Sequence, residues 1–80
     1  MDDSELVRRI GELADEEHAL ERSITADATS DSDRQRLADL EVALDQCWDL
    51  LRQRRARRAA GADPDAAAVR PAGTVEGYEQ

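Results

Sequence analysis

Leu6, Ile10, Leu13, Glu17, Leu20 and Ile24 follow one another at alternating steps of four and three, the spacing that puts side chains on one helical stripe facing a second helix. Glu17 is the polar intruder. Leu37, Leu40, Leu44, Cys47 and Leu51 repeat the pattern with steps of three and four. The spacing predicts two helices, over about residues 3–24 and 31–60. Asp2 followed by Glu5 has the form of a capping box, where a carboxylate accepts from first-turn N–H groups and suits the positive helix end. The stretch TADATSDS, residues 25–32, collects small, β-branched and side-chain-capping residues that compete with helix interiors, so the chain turns there. Ser30 or Ser32 is expected to cap the second helix. Gly61 is placed to end that helix as its C′ residue, with Pro64 soon after.

A short link between amphipathic helices makes them antiparallel neighbours. Facing the two stripes pairs Leu20 with Leu37, Glu17 with Leu40, Leu13 with Leu44, Ile10 with Cys47 and Leu6 with Leu51. One alignment satisfies both stripes, and this agreement is the main structural inference. The fold class expected is all-α: a coiled-coil-like antiparallel hairpin over residues 1–61, followed by an extended, partly disordered tail over 62–80. The tail contains both prolines and two of the four glycines, which argues against a third long helix. Val69, Val75 and Tyr78 are its anchors if it folds back on the second helix.

Eighty residues with 38% charged and 40% hydrophobic side chains make one small domain with a thin core. The isolated hairpin is marginal on this count. Trp48, Leu50 and Val7 are apolar outside the seam, and a second hairpin would cover them. The chain is therefore expected to dimerise into a four-helix bundle with Trp48 near the interface.

All eleven basic residues are arginine, against nineteen acids, for a net charge of −8. That balance opposes general nucleic-acid affinity. A lone cysteine forms no internal bridge and fits a reducing compartment. No secretory leader or membrane span is readable, so the expected location is the cytoplasm.

The run LEVALDQCWDLLRQRRARRAAGADPDAAAVRP at 40–71, VEGY at 75–78 and LADEEHALE at 13–21 resemble a family of very short, functionally uncharacterised actinobacterial proteins. The resemblance covers nearly the whole chain. It implies a small cytoplasmic bacterial protein and brings no activity, ligand or catalytic residue with it.

Four clusters carry candidate chemistry. The arginines of RQRRARR, residues 52–58, suit phosphate contact, but they also suit a helix C-terminus, and the alignment brings Arg54 near Asp3 and Glu5. Asp15, Glu16, Glu17 and His18 resemble part of a carboxylate metal site but lack the second Glu-x-x-His such sites use; Glu17 is expected to reach outward or to pair with Arg36. Cys47 is expected to be a small buried residue, its thiol raised by Asp45 and Asp49 if they lie close. Asp27, Asp31 and Asp33 at the hairpin tip resemble in outline the acidic tip of coiled-coil factors that enter RNA polymerase, though helix capping explains them more simply.

No phosphate loop, nucleophile triad or paired-cysteine spacing is present. The reading is a non-enzymatic interaction or adaptor protein without a cofactor or metal, which engages a protein partner through the Trp48 face or the tail. The partner-binding residues are Trp48, Leu50, Arg54, Arg55, Arg58 and Tyr78. The alternatives are nucleic-acid association through the arginine cluster, or a hairpin factor acting on the transcription machinery.

Overall fold

The computed structural model describes residues 2–26, 31–71 and 73. Two helices dominate: α1 runs Asp3–Ala26 and α2 runs Asp31–Ala59, with a single 3-10 turn at Pro64–Ala66. They lie side by side as a hairpin, and no strand occurs among the described residues. The shape is elongated, 51 × 25 × 17 Å, as expected when α2 alone is about 44 Å long.

Each helix end has an identifiable cause. Asp2 accepts a hydrogen bond from the Glu5 N–H at 2.8 Å, the cap foreseen from its spacing. Helix α1 runs two residues beyond the expected Ile24, because Thr25 and Ala26 still complete its last turn. Helix α2 opens at Asp31, which puts Ser32 inside the first turn; Ser30, the other expected cap, lies outside the described residues. At the far end Gly61 takes φ 74°. There its N–H donates to the Arg58 carbonyl and the Ala62 N–H to the Arg57 carbonyl, the paired bonds of a Schellman motif that glycine adopts without steric penalty.

The core is the seam. Leu6, Ile10, Leu13, Leu40, Leu44 and Leu51 are buried, with Ala14, Leu20, Ala43, Cys47 and Leu50 packed partly against them. Asp3 and Arg54 are the next layer outward from Leu6 and Leu51 in the same alignment, and there the Arg54 Nε donates to Asp3 Oδ1 at 2.6 Å. An ion pair thus closes the seam where the apolar layers stop. Toward the loop, Glu17, Leu20, Ile24 and Leu37 are only half-buried. The arginine beside Glu17 goes elsewhere: Arg36 donates through Nη2 to Glu16 Oε1 at 2.6 Å, correcting the expected Glu17–Arg36 pair by one position. Glu16 stands on the flank that Arg36 also borders, whereas Glu17 points at the seam.

Residues 62–71 are the main described part of the expected tail. Asp63 caps the 3-10 turn by accepting from the Asp65 N–H at 2.9 Å, and Pro64 occupies its first position. From there the chain runs back along α2 as far as Arg70.

Candidate functional site

Val42, Gln46, Asp49 and Gln53 recur at steps of four, three and four on α2, a stripe on the side of the helix turned away from the leucine seam. The returning segment lies on this stripe. Asp49 is 0% exposed. Its carboxylate accepts from Arg70 Nε at 2.9 Å, from Arg70 Nη2, and from Gln53 Nε2 at 2.9 Å, a two-pronged guanidinium contact of the strong, charge-assisted kind. Gln53 Nε2 also donates to the Ala68 carbonyl at 2.9 Å, and Gln46 Nε2 to the Arg70 carbonyl at 3.3 Å. Arg54 Nη1 donates to Asp65 Oδ1 at 2.9 Å and to the Pro64 carbonyl at 3.3 Å. Residues 64–70 therefore form a strap held by hydrogen bonds and ion pairs. Val69, expected as an apolar anchor, is exposed; the anchor is Arg70. Among the described residues no buried side-chain N or O atom is left without a partner.

Of the arginine cluster only Arg54 is buried; Arg52, Arg55 and Arg58 are exposed and Arg57 is half-buried. Arg54, expected on a partner-binding surface, is only 6% exposed, because it ties α1 to the strap through Asp3 and Asp65. Arg58 donates to the second oxygen of Asp3. Arg55 is exposed. Leu50, also expected at a partner surface, is half-buried against the core. Trp48 also stays open, at 45% exposure, and Val7 is 53% exposed. Tyr78, Val75 and Asp27 lie outside the described residues.

Trp48 and Val7 share one flank. In an antiparallel pair, residues just past the seam in the same rotational sense fall on the same side. On α1 these are Val7 and Ala14; on α2 they are Glu41, Trp48 and Arg55. The opposite flank carries the Glu16–Arg36 pair. Val7 and Trp48 also sit at nearly the same level, one step from the Leu6–Leu51 layer.

Asp15 and His18 are exposed, and among the described residues no group of three His, Cys, Asp or Glu side chains converges on a common point. Cys47 is half-buried, and burial pushes its thiol up while the nearby Arg9 charge pulls the other way. Neither acid lies close: Asp45 and Asp49 each stand two residues from Cys47, about 200° around the helix, and Asp49 lies under the strap. No helix among the described residues is long and apolar enough to cross a membrane.

The acid side of the pH profile follows from three carboxylates. Hydrogen bonds from Arg58 and then Arg54 hold Asp3 down at about 2. Arg70 lowers Asp49, and the Glu5 N–H lowers Asp2. All three bind protons more readily in the unfolded chain, where the ordinary value is 3.8, so their contribution is complete above about pH 5 and is lost as pH falls toward about 2. The urea midpoint is expected to hold from pH 7 to 5 and to fall between pH 4 and 2, with a smaller fall in Asp3→Asn. An unchanged midpoint down to pH 2.5 would contradict these ion pairs.

Seam, ion-paired end and strapped-back segment define the class: a small all-α hairpin protein whose C-terminal segment is latched to its second helix. Within that class the chain belongs to the family described as Protein of unknown function (DUF2630), whose model matches residues 2–80. It is 52% identical over 77 residues to uncharacterized proteins of Mycobacterium bovis and Mycobacterium tuberculosis, across 95% of this chain and 88% of each relative. This agrees with the resemblance to short actinobacterial proteins. No solved structure matches the chain.

Proposed function

We propose that the chain is a non-enzymatic interaction module of the cytoplasm that engages protein through the flank bearing Trp48 and Val7. One observation carries the reading: an exposed tryptophan and an exposed valine stand level with each other on the same side of the hairpin. Large aromatic side chains with accessible faces are enriched among residues that dominate protein interfaces. Three other features are engaged within the chain. Leucines fill the seam, the strap covers the stripe around Asp49, and Arg54 and Arg58 are bound to Asp3. That last pairing weighs against nucleic-acid contact, since it draws positive charge from the cluster such contact would use.

A photo-reactive residue placed at Val7 in the native cell tests the reading, with Ala19 on the opposite flank as control. Covalent protein adducts are expected at position 7 and not at 19. Equal labelling at both positions, or none at 7, discards this flank as the working surface.

A further inference from the structure

Glu41, Asp45, Trp48, Arg52 and Arg55 follow one another along α2 at steps of four, three, four and three. They make a second heptad stripe beside the leucine seam. Its charge is antisymmetric about Trp48: acids lie toward the N-terminal side, arginines toward the C-terminal side. A stripe of this kind is complementary to itself when two copies run antiparallel, because each copy's acids then meet the other's arginines with Trp48 against Trp48.

Helix α1 carries a matching feature at the same level. Ser4, Val7, Gly11 and Ala14 form a stripe of small residues on this flank, and its midpoint lies beside Trp48 in the hairpin alignment. Gly11 is in the middle of a helix, where glycine costs roughly 0.5–1 kcal/mol relative to alanine, yet a Cβ added there would meet nothing within 4 Å. Nothing within the chain accounts for glycine at that position. Close approach of a second helix backbone does.

We infer that the Trp48 flank takes a second copy of this chain, the two hairpins stacking about a two-fold axis perpendicular to the helices near Trp48, with α2 antiparallel to its partner's α2 and Glu41 facing the partner's Arg55. This rests on the interaction reading above and names the partner of that same surface. The second copy is favoured over another protein because the charge order matches its own reverse and the two stripes centre on one level.

Sedimentation equilibrium of the full chain across a concentration series tests it. The wild type is expected at twice the 8.9 kDa chain mass, with the single tryptophan shifting its emission to shorter wavelength as dimer forms. Glu41→Arg places like charges at two symmetric contacts and is expected to weaken association roughly tenfold. Adding Arg55→Glu restores the attraction with reversed sign and should recover the wild-type mass. Gly11→Leu should abolish the dimer while keeping the helical circular dichroism of the wild type, which separates loss of the interface from loss of the fold. A monomer at all concentrations overturns self-association, and so does a dimer that the charge reversal neither weakens nor recovers. If the monomer nevertheless gives adducts at position 7 in cells, the flank still engages protein and only its occupant is different; if it gives none, both readings fall.

Discussion

Leu51→Ala is expected to leave the chain largely unfolded at room temperature. Leu51 is among the most buried side chains, packed with Leu6 in the layer next to the closing ion pair. Truncating a buried leucine costs about 3–5 kcal/mol, because transfer energy is lost and a cavity is left. Small domains have about that much stability in total. The comparison is Leu37→Ala, which removes an equivalent leucine of the same stripe from a half-buried position and is expected to cost only about 1 kcal/mol, for the smaller area it removes from water. Thermal melts followed by circular dichroism at one fixed protein concentration, which association would otherwise shift, separate the two. Equal melting temperatures for the two variants would mean that the core is not concentrated at the ion-paired end.

The second large effect is local. Arg70→Leu is expected to release the strap while leaving the hairpin folded. Asp49 would then be a buried carboxylate without its counter-charge, a situation that costs about 3–5 kcal/mol where the structure cannot relax. Here it can relax, because lifting residues 64–70 returns Asp49 to water. The penalty therefore appears as strap opening, not as unfolding of the hairpin. Amide exchange of Ala66 and Ala67, whose N–H groups bond within the 3-10 turn, should rise toward the rate of an unstructured chain, and protease should cut after Gly61 far faster than in the wild type. Asp49→Leu has the opposite asymmetry: Arg70 is already 38% exposed and can turn to solvent, while leucine fills the buried place. That variant should hold its strap at least as well as Arg70→Leu does. If Asp49→Leu frees the strap more than Arg70→Leu, the ion pair is not what decides it.

The hairpin was legible because its determinants are periodic. Two leucine stripes with one consistent alignment, an acidic N-cap at Asp2 and a glycine at the C′ position each specify local geometry, and all agree. The Arg54–Asp3 contact was legible for the same reason, since it continues the alignment by one layer. The burial of Arg54 was not, because it depends on Asp65 and Pro64 arriving from beyond Gly61. The stripe of Gln46, Asp49 and Gln53 has heptad spacing and was visible in principle. Its residues are polar, however, and polar residues opposite an apolar seam usually face water; only a strap lying over them turns Asp49 into the most buried charge among the described residues. Trp48 could be picked out as unusual from the sequence, and its openness became a structural fact once Leu50, two residues on, was found packed against the core.

The sequence by itself determined the two helices, the cap at Asp2, the stop at Gly61 and the pairing, because helix formation, capping and seam alignment depend on spacing within short windows and on two patterns that must match. The tertiary structure decided where the C-terminal segment goes and which charges are buried. Those outcomes depend on individual contacts at unrelated spacings, such as Arg70 with Asp49 and Arg54 with Asp65, and no periodicity encodes a contact made once.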